Sequence, residues 1–439
     1  MMGNRKSFPQ DAPINVITLG CSKNTVDSEN LMGALRRGGF RVVHDAPGEG
    51  FAGVIINTCG FILDAKQESI DTILDYARAR KEGRIGKLVV MGCLSQRYRK
   101  DLQAEIPEVD AFLGVNEPAK VVAQFLSSAA APSWHDRIVS TPSHYAYMKV
   151  SEGCDHQCSF CAIPLIRGPH HSRPLEEIVA EALHLKAGGV KELLLIAQDL
   201  TWYGMDIYER RMLPDLLRAL TEAEAADWIR LHYTFPTAFP MEVLDIMRDH
   251  PAICNYLDLP LQHISDRILK SMRRGGAGQA LDLAEKVRTM YPEIAMRTTM
   301  IVGYPGETEQ EFNALLDFVK ETRFERLGAF VYSHEEDTPA FELEDNIPAE
   351  EKEARLAALM EIQAEISLVH NQNLIGQSLR ILIDRKEGDF WIGRTEYDSP
   401  EVDNEVLIPA SEAVSLSPGV FCNAIPLEAS EHELFARIN

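Results

Sequence analysis

Three stretches in the first quarter of the chain share one pattern: a short apolar run, a cysteine, then a helix-like segment. NVITLGC ends at Cys21, GVIINTC at Cys59 and KLVVMGC at Cys93. Continuous apolar runs alternating with amphipathic segments are the pattern of parallel strands covered by helices. The alternation predicts an N-terminal parallel α/β domain over 14–126.

Residues 127–144, SSAAAPSWHDRIVSTPSH, are small, polar and without period, which predicts a linker. From Tyr145 to about Phe341, six apolar runs alternate with amphipathic helices: YAYMKV, ELLLIA, IRLHYTF, YLDLPL, RTTMIV and LGAFVYS. Six βα units with right-handed crossovers predict an incomplete (βα)6 TIM-like barrel over 144–345, with its functional groups at the carboxyl ends of the strands. In SRPLEEIVAEALHLKAGG the expected helix signals are Ser172 as cap, Pro174 in the first turn, Glu176 and Glu177 near the positive end, and Gly188-Gly189 as the stop. A charged Ala- and Leu-rich stretch from Pro348 to about Gln372 predicts a long connecting helix. SLRILIDR, FWIGRT, NEVLIP and VFCNAIPLE then predict a small all-β barrel of the oligonucleotide-fold kind over 371–439.

A chain of 439 residues with 45% apolar content suggests two to three domains. The opening MMGNRKSFPQDAPINV lacks a secretory pattern, and no window approaches the roughly 18–20 apolar residues of a membrane span, so a cytoplasmic protein is expected. Eight cysteines in such a chain point to metal or redox use rather than a disulfide framework.

The net charge of −22 opposes broad attraction to phosphates, so nucleic-acid binding is not expected to dominate. Residues 371–439 carry five Lys or Arg against twelve Asp or Glu, which suits a basic protein partner better than RNA. Asp398, Glu401, Asp403 and Glu405, in EYDSPEVDNE, are expected either to dock that partner or to form a solvated turn. Removal of residues after about Gly376 is expected to spare everything upstream.

In an open parallel sheet the carboxyl ends of the strands share one edge, so Cys21, Cys59 and Cys93 can converge on a cluster or metal. The alternative is three packing thiols. The densest local signal is SEGCDHQCSFC, where Cys154, Cys158 and Cys161 follow the first strand of the barrel-like domain. Thiolates at C-x3-C-x2-C spacing can ligate three irons of a four-iron cluster and leave the fourth open. Structural zinc, completed by His156, His170 or His171, is the competing use.

These residues resemble the signature of radical S-adenosylmethionine (SAM) enzymes. With the upstream cysteine trio and the small C-terminal barrel, the chain resembles the methylthiotransferase branch over nearly its whole length. LGCSKNTVDSEN (19–30), SEGCDHQCSFCAIPLIRG (151–168), IAQDLTWYG (196–204), RLHYTFP (230–236), LDLPLQHISDRILKSMRRG (257–275) and IVGYPGET (301–308) look more like the RimO type than the MiaB type. The resemblance implies two 4Fe-4S clusters, the second on Cys21, Cys59 and Cys93, together with SAM and a reducing electron donor. It implies that a 5′-deoxyadenosyl radical abstracts hydrogen, the second cluster supplies sulfur, and a further SAM supplies the methyl group. The implied substrate is an aspartate β-carbon in the small-subunit ribosomal protein numbered twelve, free or on the ribosome. A MiaB-type enzyme would modify a tRNA adenosine. One departure is Asp337 in HEEDTPA, where the family usually has glycine.

Further candidates for holding the cofactor are Gly303 and Gly306, at a strand end where backbone can approach closely, and Gln198 and Asp199, after the second strand. Each also reads as an ordinary turn or loop residue. His263 could line the cleft or be structural. Arg167, Arg173, Arg274 and Arg297 could each pair with a carboxylate of cofactor or substrate. Cys254 and Cys422 read as packing residues.

Overall fold

The computed structural model describes residues 12–126, 132–411 and 415–439. Two compact units are present. One comprises Met1–Thr141 with Glu152–His156 and Ala162–His170; the other comprises Pro142–Ser151, Gln157–Cys161 and His171–Asn439.

The first unit is built on β1 (Ile14–Thr18), α1 (Ser22–Arg37), β2 (Val42–His44), β3 (Gly53–Thr58), α2 (Leu63–Lys81), β4 (Lys87–Gly92), α3 (Cys93–Glu105), β5 (Ala111–Phe112) and α4 (Pro118–Ala123). All its strand pairs are parallel, in the order β2-β1-β3-β4-β5. Alternate residues of one strand enter opposite cores, Val54 and Ile56 on one face and Ile55 on the other, which is why these strands are apolar throughout. The two edge strands are three and two residues long and have no apolar run of their own, so only β1, β3 and β4 could be read from sequence. Of the expected linker, 127–131 lie outside the described residues. The remainder includes a short 3-10 turn, Trp134–Asp136, and Arg137, which forms a fully buried ion pair with Glu29 at 2.6 Å.

The second unit contains β6 (Tyr145–Lys149); the short β7 (Ser151–Glu152), then α5 (Ile163–Arg167), which belongs to the first unit, and β8 (His171–Ser172) follow in the chain. Then come α6 (Leu175–Ala187), β9 (Glu192–Ile196), α7 (Leu213–Glu222), β10 (Trp228–Leu231), α8 (Glu242–Asp249), β11 (Ile253–Asp258), α9 (Asp266–Ser271), α10 (Ala277–Met290), β12 (Ala295–Val302), α11 (Glu309–Thr322) and β13 (Arg326–Val331). All six expected strands are present in one sheet, β6-β9-β10-β11-β12-β13, every pair parallel.

Helix α6 starts two residues later than its signals suggested. Pro174 is the cap, and the Ser172 hydroxyl instead accepts the Gly204 N–H at 2.9 Å. Glu176 and Glu177 do occupy the first turn, and Gly188 with Gly189 (φ 103°) ends the helix. Asp337 has φ 62°, the left-handed region that glycine adopts without strain.

The long helix α12 runs Ala349–Asn373 and leads into β14 (Leu379–Glu387), β15 (Phe390–Arg394), β16 (Glu405–Pro409), β17 (Phe421–Ala429) and β18 (Glu433–Ile438). These close as β14-β15-β16-β18-β17, and β18 is a strand the sequence reading had not anticipated.

The acidic run between β15 and β16 is more than a solvated turn, because Asp398 and Asp403 are engaged inside the unit while Glu401 and Glu405 make contacts at its surface. Asp398 takes two hydrogen bonds from Arg326 (2.6 and 2.8 Å), Glu401 accepts from Tyr145 at 3.0 Å, and Asp403 accepts from Tyr256 at 2.7 Å. Ser399 Oγ lies 3.0 Å from His232 Nε2, and Glu405 is bidentate with Arg385. Next to this loop, Glu192 is fully buried between Arg230 and Arg394, each at 2.7 Å, and Arg394 continues to Asp384. Buried charges of this kind are tolerated only when their partners are in place. Removing the C-terminal barrel would take these partners from the central sheet, although the six cysteines of the two trios all lie upstream of it.

Candidate active site

Cys21, Cys59 and Cys93 stand immediately after β1, β3 and β4, three neighbouring strands, at their carboxyl ends. Cys21 caps α1 and Cys93 begins α3, so two of the thiols sit at helix N-termini. Backbone approach is close. Gly20 (φ 95°) packs so tightly that a Cβ there would lie 2.8 Å from Cys59 Cβ and 3.0 Å from its Sγ, and a Cβ at Gly60 would lie 2.8 Å from the Cys93 carbonyl carbon. The thiols feel one another. Burial pushes the Cys59 thiol up and a Cys21 thiolate adds to the shift; burial pushes Cys93 up to about 12 against the opposing Arg167, with Cys21 and Cys59 contributing.

Arg167 is buried beside Cys93. One of its nitrogens donates to Asn24 Oδ1 at 2.6 Å and to Cys93 Sγ at 3.8 Å, and the other reaches Glu152 at 2.9 Å and Asp27 at 3.1 Å. The Asn24 side chain also donates to the carbonyls of Leu19 and Thr58, which ties it to the ends of β1 and β3.

In the second cysteine set, the Cys154 N–H donates to the Gly168 carbonyl (3.1 Å) and the Cys161 N–H to the Cys158 carbonyl (3.1 Å). Ser159 between the latter two anchors the turn, donating to the Met272 carbonyl through its N–H and to the Ser271 carbonyl through its hydroxyl. Arg274 donates to Cys158 Sγ at 3.8 Å and to the Pro260 carbonyl at 2.6 Å, with its guanidinium 4.2 Å from the centre of the Phe235 ring.

Both donor sets are all-thiol, which suits iron–sulfur clusters. No group of three or more His, Cys, Asp or Glu among the described residues is arranged around one ion. A four-iron cluster asks for a different spacing, since each thiolate takes its own iron.

The four candidate arginines separate clearly. Arg167, Arg173 and Arg297 already hold carboxylates: Arg173 pairs with Glu181 at 2.6 Å, and Arg297 lies 3.3 Å from Asp258 and 3.4 Å from Asp403. Arg274 has no carboxylate within ion-pair distance among the described residues. His263 takes the structural role. Its Nδ1 accepts the Ser265 N–H, and its Nε2 donates to Glu307 at 3.1 Å, both side chains fully buried.

Gln198 and Asp199 follow β9, and Asp199 Oδ1 accepts the N–H and hydroxyl of Thr201, capping a short turn. Gly303 and Gly306 have φ 72° and 77°; their N–H groups donate to Glu307 and Asn346. Cys254 and Cys422 are distant in sequence from either trio, and Cys254 packs with Trp228, Tyr256 and Leu382. Sequence reading missed Asn24 and the Arg167–Cys93 contact. The signal available for Asn24 was only its place one turn after Cys21.

The fold and this site define a radical SAM enzyme. A model of the radical SAM superfamily matches residues 148–319, one of an uncharacterized protein family, UPF0004, matches 13–114, and one of the TRAM domain matches 375–438. Among solved structures, a radical SAM methyltransferase, TsrM from Kitasatospora setae, superposes with TM-score 0.54 at 15% identity, covering 86% of this chain and 79% of that one; this is a likeness of fold.

The chain is 52% identical over 430 residues to a protein of Cytophaga hutchinsonii named ribosomal protein uS12 methylthiotransferase RimO, covering 98% of each. Its counterparts in Flavobacterium johnsoniae (53%, 96% of this chain and 97% of that one) and Porphyromonas gingivalis (50%, 97% and 98%) carry the same name. The chain belongs to the RimO family of radical SAM methylthiotransferases. It is a transferase whose family cofactors are SAM and two 4Fe-4S clusters.

Proposed function

We propose that this enzyme attaches a methylthio group to the β-carbon of an aspartate in ribosomal protein uS12. The observation that carries the reading is about 50% identity over nearly the full chain to proteins of that name. In it, Cys154, Cys158 and Cys161 hold the cluster that engages SAM, and Cys21, Cys59 and Cys93 hold the other. Bound SAM and the clusters supply radical hydrogen abstraction, sulfur and methyl transfer. Gln198, Asp199, Gly303 and Gly306 lie at the cofactor, in a SAM-binding domain over 144–345 flanked by a cluster-binding domain over 14–126 and a TRAM-like barrel over 371–439. Among the described residues no helix is long and apolar enough to cross a membrane.

Mass spectrometry of uS12 and of tRNA nucleosides from a strain lacking the enzyme is the test. A loss of 46 Da, about the mass of a methylthio group replacing hydrogen, from uS12 supports the proposal. An unmodified tRNA adenosine with uS12 unchanged overturns it.

A further inference from the structure

One buried amide touches all three strand ends that carry Cys21, Cys59 and Cys93. Asn24 lies in the first turn of α1 and is almost wholly inaccessible. Its Nδ2 donates to the Leu19 carbonyl at 2.7 Å and to the Thr58 carbonyl at 3.1 Å. Leu19 follows β1 and stands two residues before Cys21; Thr58 ends β3 and stands directly before Cys59. The Asn24 Oδ1 accepts from the Cys93 thiol, after β4, at 3.8 Å and from Arg167 at 2.6 Å. The Asn24 backbone carbonyl takes a further bond from Asn57 Nδ2 at 3.0 Å, which fixes this turn of α1 against β3. A Cβ at Gly20 would lie 3.4 Å from Asn24 Nδ2, so the backbone leading to Cys21 approaches the amide closely.

The strand ladder stops short of the cysteines. Its registered pairs end at Thr18 with Asn57 and at Thr58 with Gly92. Beyond them the three thiols stand in three separate turns, and the ladder alone does not set one sulfur relative to another. The asparagine amide offers two N–H donors at one end and an oxygen with two lone pairs at the other, so one side chain can hold three such turns. An aspartate of the same shape would turn an oxygen towards two carbonyls, and an alanine would withdraw both donors. We infer that Asn24 is a positioning residue for the second cluster: it presets the spacing of Cys21, Cys59 and Cys93, so that the three sulfurs are held in place independently of the metal. Groups that orient metal ligands commonly change metal affinity by about 10- to 100-fold. Here the effect falls on how long the cluster is kept, because a strand end released from the amide lets its sulfur move away and opens an iron to solvent.

The inference rests on the ligand set proposed above, and the test keeps the two apart. It uses the full-length chain with Cys154, Cys158 and Cys161 changed to Ala, reconstituted with iron and sulfide, so that the other trio alone is loaded. Iron loss to a ferrous chelator, bathophenanthroline, should run about tenfold faster in Asn24→Ala than in the chain that keeps Asn24. The EPR g-values of the dithionite-reduced cluster should shift as well. Asn24→Asp, equal in size, should also lose iron faster. Ser28→Ala controls for stability alone: the Ser28 hydroxyl is buried and accepts from Thr18 at 2.7 Å and Asn57 at 3.0 Å, and these bonds reach neither a cysteine nor a strand-end carbonyl. Its urea midpoint should fall while its iron loss and EPR spectrum stay unchanged. If one Asn24 variant fails to fold, the other decides; failure of both would make the amide a stability element only and overturn the inference. Unchanged iron loss and spectra in folded Asn24 variants, or equal changes in Ser28→Ala, overturn it too. No iron taken up by the chain that keeps Asn24 overturns the ligand set instead.

Discussion

Asp403, in the loop between β15 and β16, accepts a 2.7 Å hydrogen bond from the hydroxyl of Tyr256 in β11. Tyr256 is fully buried, and the same carboxylate lies 3.4 Å from Arg297 in β12. The small barrel thus supplies acidic and basic partners to buried polar groups of the six-stranded sheet. Asp398 with Arg326 in β13, Glu396 with Asn255 in β11, and Arg394 with Glu192 in β9 repeat the relationship along the sheet.

Asp398→Ala should destabilise the protein by about 3–5 kcal/mol, because it strands the buried Arg326 guanidinium. Arg326→Leu combined with Asp398→Leu should recover much of that loss. Urea midpoints of the two proteins provide the check, and a single substitution costing less than about 1 kcal/mol, the range of an exposed pair, would place this ion pair in solvent.

Truncation after Gly376 should abolish cooperative folding of the central sheet rather than leave a competent SAM-cleaving core. Glu192, Arg230, Tyr256 and Arg326 would all lose partners at once. Near-ultraviolet circular dichroism and thermal melting of the shortened chain distinguish the outcomes; a soluble product with a sharp transition and intact reductive cleavage of SAM would contradict the prediction.

Replacing Cys21, Cys59 and Cys93 together by Ala should halve iron and sulfide, keep reductive cleavage of SAM and stop sulfur transfer. The corresponding change at 154, 158 and 161 should also halve the iron but remove cleavage. Iron and sulfide analysis with chromatography of 5′-deoxyadenosine reads both. Sulfur transfer at the normal rate in the first protein would exclude those cysteines as the second ligand set.

Stability should fall steeply on the alkaline side. Burial pushes the Cys254 thiol up to about 12, with Arg230 opposing, and the Cys422 thiol up to about 11; it also raises the Tyr256 hydroxyl. The folded chain therefore keeps protons that the unfolded chain releases. This contribution is complete below an unfolded thiol's ordinary value of about 8.5 and is lost as pH climbs towards the folded values. Urea midpoints at pH 8 and pH 10.5 should show the loss, and Cys254→Ala should reduce its size. An unchanged pH slope in that variant would remove Cys254 as a contributor.

Elements that bury both faces could be read from sequence, since runs such as GVIINT and ELLLI have no polar side and stop at a glycine or polar turn. The six candidate cysteines could be singled out from sequence because all of them stand at strand ends or in the first loop after a strand, and C-x3-C-x2-C is a local pattern. What escaped was whatever depends on contact across long sequence separation. EYDSPEVDNE has the composition of a solvated turn, and nothing in it announces that Tyr256, 147 positions away, waits for Asp403. Among four similar arginines, local sequence likewise could not separate the three already holding carboxylates from Arg274. β2 and β5 escaped because two or three residues cannot display a period, and Ser172 misled because a good capping residue was used by Gly204 instead.

The placement of the two cysteine trios also bears on the order of events during synthesis. Cys154, Cys158 and Cys161 share one short loop, so a partly folded chain can already gather them, and loop closure over so few residues costs little. Cys21, Cys59 and Cys93 meet only after β1, β3 and β4 have paired, because the sheet is what brings their strand ends together. On the proposed ligand set, capture of iron by this trio is consequently a late step and a report on the finished N-terminal sheet. A chain that stalls with β3 and β4 unpaired would keep the means to hold one cluster while lacking the place for the other.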